Sequence, residues 1–226
     1  MSIKAIFLDF YGTVVHEDDE VITYICEQIK ENSQTDATLA EIGGFWWGEF
    51  SGLFIESHGK NFTHQRILEE TSLKSTLSHY RSSLDETKLS ELMFNHWMNP
   101  PIFQDSIEFI NQCTFPIYIL SNIDRIDISE AIKFHDLSVK DIITSEDVKS
   151  YKPRPEMFEY ALKISGFVPN EVVHVGDSLS SDVAGAKNMG IKSVWVNRSN
   201  REFKGNIKPE FQVGNLKEVL KIQELV

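Results

Sequence analysis

The sequence predicts an α/β protein, with a doubly wound, Rossmann-like parallel sheet and an all-helical segment inserted after its first strand. Three observations predict this fold. Short apolar runs end abruptly at polar residues, as buried parallel strands do. From residue 102 onward such runs alternate with helix-type patterns. Between the first run and residue 99, only helical periodicity is found.

The first strand is predicted at residues 5–8, an apolar run that stops at Asp9. Gly12 then allows a tight turn. In open α/β sheets, ligands and chemistry lie at the carboxyl ends of the strands, so Asp9 occupies a position typical of a catalytic group. By itself this residue is equally consistent with an aspartate that caps a turn.

The inserted segment carries four predicted helices. The first follows the acidic residues 17–20, and the second covers residues 38–57. The third begins after Thr63 as N-cap and reaches about His79, and the fourth runs from Asp85 to about Met98. Asn99 and two prolines then end the helical pattern. The sequence therefore predicts a helical cap at residues 16–98, inserted into a core made of residues 1–15 and 99–226.

The rest of the chain predicts strands joined by helical crossovers, which implies a parallel sheet. The predicted strands are residues 117–120, 141–144, 172–175, 193–196 and an edge strand near 211–213. The predicted helices are residues 105–112, 126–134, 156–164, 183–189 and 216–225.

Composition restricts the possible partners and compartment. The 226 residues include 34 acids against 22 lysines and arginines, for a formal net charge of -12. Such a chain lacks the basic footprint expected for binding nucleic acid or an anionic membrane surface. Its two cysteines are too few for a disulfide framework, and neither a signal peptide nor an 18-residue apolar stretch is found. We expect a cytoplasmic protein without nucleic-acid or membrane partners; the oligomeric state stays open.

Five polar residues follow predicted strands or open the next helix: Asp9, Ser121, Lys152, Asp177 and Asp182. Each has an ordinary interpretation alone, as a cap or a surface residue. Together they form a chemical set with a carboxylate nucleophile, a hydroxyl donor, a cation and two carboxylates for a divalent ion. Such hard oxygen ligands suit Mg²⁺. Lys152 would offset the crowded negative charge and keep Asp9 ionised.

These residues belong to four motifs that occur in a fixed order: Asp-x-x-Gly-Thr at 9–13, Ser-Asn at 121–122, Lys-Pro-x-Pro at 152–155 and Gly-Asp-Ser-x-x-x-Asp at 176–182. In this order they resemble the haloacid dehalogenase superfamily of hydrolases, over nearly the whole chain outside the predicted cap. The resemblance implies a doubly wound core, a helical cap after the first strand and an aspartyl-enzyme intermediate.

The same resemblance implies the role of each motif residue. Asp9 attacks the substrate, while Ser121 and Lys152 hold the transferring group. Asp177 and Asp182 hold Mg²⁺ together with Asp9. Tyr11 and Asn122, which lie inside the motifs, are assigned to substrate binding, and Tyr11 also to the metal site.

Tyr11 is where the sequence departs from the phosphatases of this superfamily, which usually carry there a second Asp that acts as general acid and base. Tyr at this position resembles the L-2-haloacid dehalogenases. Those enzymes need no metal and replace the metal-binding acid with Ser or Asn, whereas this chain keeps Asp177. They also carry an early cap arginine that holds the halide, whereas the first arginine here is Arg66. The retained acid and the missing arginine together favour a phosphatase.

We therefore expect a Mg²⁺-dependent, phosphatase-like hydrolase that acts on a small phosphorylated metabolite. The alternatives are a metal-free 2-haloacid dehalogenase and a catalytically weak protein that binds a phosphorylated ligand. Without an Asp at position 11, the substrate needs a good leaving group, or His16, His58 or Lys60 supplies the proton. His58 and Lys60 lie in a predicted cap loop and are also assigned to substrate binding.

Overall fold

The computed structural model of the protein describes residues 2–203 and 206–223, and its centre is a parallel sheet. The strands are β1 (Ala5–Leu8), β2 (Ile117–Ser121), β3 (Asp141–Thr144), β4 (Val172–Gly176), β5 (Lys192–Val196) and β6 (Phe211–Val213). They are arranged in the order β3-β2-β1-β4-β5-β6, and every neighbouring pair is parallel. The predicted α/β class, and β6 as an edge strand, are confirmed.

The first motif lies at the centre of the sheet, because the chain adds β2 and β3 on one side of β1 and β4, β5 and β6 on the other. Ile6 lies opposite Ile117 of β2 on one side and Val173 of β4 on the other. The chain builds outward to β3 and then returns to build β4, β5 and β6. All four residues of β1 are buried, which explains their unbroken apolar run. The carboxyl ends of β1 and β4 therefore lie side by side at the switch point of the sheet.

Ten α-helical segments are found among the described residues. They are α1 (Asp19–Asn32), α2 (Leu39–Glu56), α3 (Gln65–His79), α4 (Glu86–Met98), α5 (Gln104–Gln112), α6 (Arg125–Phe134), α7 (Ser145–Val148), α8 (Glu156–Ser165), α9 (Ala184–Asn188) and α10 (Leu216–Val219). None of the described helices combines the length and the apolarity needed to cross a membrane.

Three helix predictions need correction. The N-cap of α3 is His64 and not Thr63, whose hydroxyl donates to the Asn61 carbonyl oxygen at 3.4 Å. The predicted helix 183–189 is preceded by a wide π turn, Leu179–Val183, and α9 ends at Asn188. The last predicted helix, 216–225, is helical at Leu216–Val219, and its residues 224–225 lie outside the described residues.

The chain divides into two compact units. The first unit contains residues 1–17, 101–122 and 135–226, and the second contains residues 18–100 and 123–134. The sequence analysis placed residues 16–98 in the cap, whereas the contacts also group α6 with these helices. Polar side chains of α6 and of the residue before it explain this grouping. Asp127 accepts from Arg66 Nε at 3.1 Å, and Asp124 accepts the backbone N–H groups of Gln65 and Arg66 at 3.1 and 3.0 Å.

Candidate active site

Three carboxylates converge at the carboxyl edge of the sheet in the first unit. Asp9 directly follows β1, Asp177 directly follows β4, and Asp182 lies in the π turn. One carboxylate oxygen from each lies within 4.8 Å of the other two; Asp9 and Asp182 are buried, and the side chain of Asp177 is 13% exposed. So much buried negative charge requires compensation by cations or hydrogen-bond donors.

Lys152 supplies part of this compensation. Its Nζ lies 2.8 Å from Asp9 Oδ1, 2.6 Å from Asp182 Oδ1 and 2.8 Å from the Leu120 carbonyl oxygen. The side chain is only 1% exposed. Burial disfavours its charge, but Asp182 and Asp9 outweigh burial and hold the pKa of Lys152 above its ordinary value. Lys152 is therefore a permanent buried cation.

Asn122 fixes the position of Lys152. Its amide Oδ1 accepts the Lys152 backbone N–H at 2.7 Å, and its Nδ2 donates to the Lys152 carbonyl oxygen at 3.0 Å. Asn122 was assigned to substrate binding, and these contacts give it a positioning role. Ser121, which precedes it, is buried at the carboxyl end of β2.

Asp182 is held by donors on several sides. Its Oδ1 accepts from Lys152 and lies 2.9 Å from His174 Nε2, and its Oδ2 accepts the Ser178 backbone N–H at 3.0 Å. Burial opposes its charge, but Lys152 and His174 hold the pKa of Asp182 well below its usual range. His174 was missed by the sequence analysis. Its one signal is a histidine inside the buried strand β4.

Asp9 and Asp177 are less well compensated. Thr13 Oγ1 donates to Asp9 Oδ2 at 2.9 Å and lies 3.5 Å from Asp177 Oδ1. Burial and Asp182 raise the pKa of Asp9 although Lys152 lowers it, so the expected effect of Lys152 is present but does not prevail. Burial, Asp9, Asp182 and Glu17 raise the pKa of Asp177 to about 8, against the opposing effect of Arg201.

Two glycines permit this close packing of carboxylates. Gly12 has a φ of +81°, and a Cβ added there would lie 2.8 Å from Asp177 Oδ1. At Gly176, an added Cβ would overlap the Asp182 carboxyl group. Side chains at either position would fill the space between the acids. Hard oxygen donors around a cradle kept open by glycine fit a divalent cation such as Mg²⁺. Asp9, Asp177 and Asp182 are the residues that could hold it.

Two further predicted site residues of the first unit, Tyr11 and His16, pack against aromatic rings. Tyr11 is half-buried, and its ring packs edge-on against Phe10 with a centroid distance of 5.2 Å. His16 is exposed, and its ring stacks on Phe103 at 3.9 Å. A role for either in proton transfer or binding stays a prediction.

His58 and Lys60 belong to the second unit. His58 precedes the short 3₁₀ turn Gly59–Asn61, and Lys60 lies exposed within it. Their assignment to substrate binding also stays a prediction. Arg66, the first arginine of the chain, is already engaged inside the same unit. It donates to Asp127 and lies 4.4 Å from the centroid of the Phe94 ring.

The family is defined by comparison with known proteins. The model of the haloacid dehalogenase-like hydrolases matches residues 3–190. The chain therefore belongs to the haloacid dehalogenase-like hydrolases, as the four motifs predicted.

Curated relatives include enzymes of two activities. The chain is 28% identical over 161 residues to a phosphoserine phosphatase of Thermus thermophilus, covering 65% of this chain and 64% of that relative. It is 26% identical over 224 residues to an (S)-2-haloacid dehalogenase of Pseudomonas putida, covering 96% of this chain and 95% of the relative. The hydrolase class is common to both relatives.

Solved structures share the whole fold. The L-2-haloacid dehalogenase from Xanthobacter autotrophicus aligns with a TM-score of 0.77 at 18% identity, covering 97% of this chain and 98% of that one. The HAD-hydrolase YfnB from Bacillus subtilis aligns with a TM-score of 0.77 at 20% identity, covering 98% and 99%. At these identities the likeness establishes the fold alone.

Proposed function

We propose that this hydrolase is a Mg²⁺-dependent phosphatase of small phosphorylated metabolites that uses Asp9 as a covalent nucleophile. The observation that carries the proposal is the convergence of Asp177 with Asp9 and Asp182. A third buried carboxylate at this point adds unfavourable charge to the protein alone, and a divalent cation turns it into a ligand. Metal-free attack by Asp9 would gain nothing from Asp177.

The proposed chemistry has two displacement steps. A carboxylate oxygen of Asp9 attacks phosphorus, forming an O–P bond as the bond to the leaving oxygen breaks, and that oxygen leaves with the electron pair. Water then attacks the phosphorus of the aspartyl phosphate, which regenerates the Asp9 carboxylate and releases inorganic phosphate. When bound, Mg²⁺ supplies positive charge that stabilises the transferring group.

The protein groups around Asp9 fit the positioning role that this chemistry requires. Lys152 places its ammonium group 2.8 Å from the nucleophile, where it can also offset the negative charge of a phosphoryl group. Ser121, at the carboxyl end of the adjacent strand β2, offers a hydroxyl donor to the same group. Asn122 and His174 hold Lys152 and Asp182 in place. Phosphoryl transfer depends chiefly on such fixed electrostatics.

A second candidate function, metal-free 2-haloacid dehalogenation, is supported by Tyr11. This residue occupies the position two after the nucleophile, where a phosphatase of this family would usually carry an acid. A haloacid dehalogenase is also among the relatives, and it matches 96% of the chain. The contacts of Arg66 with Asp127 count against this candidate, because they engage the first arginine of the chain within the second unit.

One assay separates the two candidates. Purified protein is given a panel of phosphorylated metabolites and, separately, 2-chloropropionate, each with Mg²⁺ and with a chelator. We expect release of inorganic phosphate that requires Mg²⁺ and is lost in Asp177→Asn. The matched control is Asp141→Asn, which makes the same change at an exposed residue at the start of β3. Halide release that persists in the chelator would support the dehalogenase and refute the phosphatase.

A further inference from the structure

Asp177 is contacted by an arginine from the segment after β5. Arg201 Nη2 lies 2.8 Å from the Asp177 carbonyl oxygen and 3.3 Å from its Oδ2. Trp195 Nε1 donates to the same carbonyl oxygen at 2.8 Å, and the guanidinium lies 6.0 Å from the centroid of the Trp195 ring. Arg201 therefore reaches both the backbone and the carboxylate of a candidate metal ligand.

The turn that presents Arg201 is closed by Asn197, which directly follows β5. Asn197 is 3% exposed; its Nδ2 donates to the Arg201 carbonyl oxygen at 2.9 Å, and its Oδ1 accepts the Arg201 backbone N–H at 2.8 Å. Asn200 takes a left-handed conformation with a φ of +49°, which Asn tolerates better than most residues. Arg201 is thus held at this place by its own backbone.

The two cations of the site differ in how firmly they are held. Lys152 is 1% exposed and bonds both Asp9 and Asp182. Arg201 is 54% exposed, and among the described residues it is the cation that bonds Asp177. Breaking the ion pair of a half-exposed guanidinium costs little free energy, because water already solvates the group. Breaking the pairs of a buried ammonium group costs much more, because buried charges are left without partners. Of these two cations, Arg201 is therefore the one whose carboxylate partner can be taken over by another cation at a low cost in free energy.

The surroundings provide room for that exchange. An open cavity of about 310 Å³ borders Asp177, Trp195 and Arg201, and the carboxylates of Glu17 and Glu202 also line it. A guanidinium that leaves Asp177 would stay beside other acids.

We propose that Arg201 is a displaceable counter-ion of Asp177, which pairs with the carboxylate in the metal-free protein and yields it to the incoming divalent cation. Arg201 then acts as a positioning residue that lowers the affinity of the site for the cation. The inference rests on the proposed function, because it takes Asp177 to be a ligand of that cation. The site would bind Mg²⁺ more weakly than its three carboxylates alone would allow.

Isothermal titration with Mg²⁺ tests the competition without any substrate. Arg201→Gln removes the charge and keeps an amide donor, so we expect the Kd for Mg²⁺ to fall roughly two- to fivefold, the range for one exposed ion pair. Arg201→Lys keeps the charge and should restore an affinity close to that of the wild type. The gain in Arg201→Gln should shrink at high salt, because salt screens an exposed pair. A purely structural role would not produce this salt dependence.

Lys187→Gln is the matched control. It removes the same charge from the first unit, but Lys187 pairs with Glu210 at 2.6 Å. We expect its affinity for Mg²⁺ to equal that of the wild type. Equal or weaker binding by Arg201→Gln, with binding by the wild type intact, would overturn the counter-ion role and leave the proposed function standing. Absence of Mg²⁺ binding by the wild type would overturn both.

Discussion

A buried lysine between two acids explains the charge arrangement of the site. Lys152 donates a hydrogen bond to Asp9 and another to Asp182. The pKa values of Asp9 and Asp177 are nevertheless raised. Lys152 contacts two of the three carboxylates, and Asp177 has only the half-exposed Arg201 as a cationic partner among the described residues. The deficit lies at Asp177, and a divalent cation would remove it.

Tyr11→Asp tests whether a missing proton donor limits the enzyme. The new carboxyl group would stand two residues after the nucleophile and could act as general acid and base. We expect kcat/KM to rise up to roughly 10²-fold for alkyl phosphates, whose alkoxide leaving groups need a proton. Aryl phosphates leave readily without protonation and should gain little. Steady-state kinetics with one substrate of each kind provides the measurement.

The competing possibility is that Tyr11 serves packing, given its edge-on contact with Phe10. In that case the variant leaves a cavity and an unpaired charge, and both substrates are affected alike. An equal change for both substrates in a folded variant would show that no proton donor is missing at this position.

The site residues at strand ends could be predicted from the sequence, whereas the residues that hold them in position by hydrogen bonds could not. Asp9 and Asp177 directly follow apolar runs, so their placement follows from strand ends meeting at one edge of the sheet. His174 and Asn197 contact residues that a turn brings back to them, Asp182 and Arg201. Arg201 reaches Asp177 because β4 and β5 are neighbours in the sheet. No motif in the sequence marks these three contacts.

At the scale of elements, strands were predicted more closely than the connections after them. The run at 5–8 is bounded by polar residues and coincides with β1. The π turn at Leu179–Val183 was not predicted. Its wide ring is closed by the Val183 backbone N–H, which donates to the Ser178 carbonyl oxygen at 3.1 Å. Ser178 Oγ caps the turn by accepting the Ser181 backbone N–H, a bond that would begin a regular helix equally well, so the sequence pattern did not distinguish the two.

Helix α3 carries a buried acid that makes stability depend on pH. Glu69 is 4% exposed, and within the described part of the chain its Oε1 has no hydrogen-bond partner. Burial and the charge of Asp18 raise the pKa of Glu69 to about 8. The folded state therefore holds a neutral Glu69 at pH values where the unfolded chain is already ionised.

This raised pKa fixes the direction of the pH effect. Below the unfolded pKa of about 4.3, both states are protonated and Glu69 costs nothing. Between that value and about 8, the free energy of unfolding falls by up to about 1.4 kcal/mol per pH unit, because the unfolded state binds fewer protons. Glu69→Gln should remove this contribution and stabilise the protein most near pH 8. Urea unfolding of both proteins across this window measures the two slopes.

Glu31→Gln, at an exposed position of α1, is the control for the loss of one acid from the same unit. It should keep the wild-type slope. If Glu69→Gln also keeps that slope, Glu69 does not carry the buried proton that its surroundings imply.

At the scale of the whole molecule, the family and the fold were predicted correctly from motif order. In an open parallel sheet the carboxyl ends of the strands meet at one edge. Four motifs that follow successive strands therefore predict both a parallel sheet and a common site at that edge. The grouping of α6 with the second unit was not predicted. It depends on Asp124 and Asp127, which bond residues of α3 that lie 59 and 61 positions earlier in the chain, so no local pattern indicates the contact.

The most direct test of covalent phosphoryl transfer at this site is phosphate release by Asp9→Asn. The amide has almost the shape of the carboxylate but is a poor nucleophile, and Lys152 keeps Asp182 as a partner. We expect a folded protein, with a circular dichroism spectrum and cooperative melting like those of the wild type, whose Mg²⁺-dependent phosphate release is reduced by at least about 10³-fold. Phosphate release at the wild-type rate by folded Asp9→Asn would contradict the covalent role of Asp9.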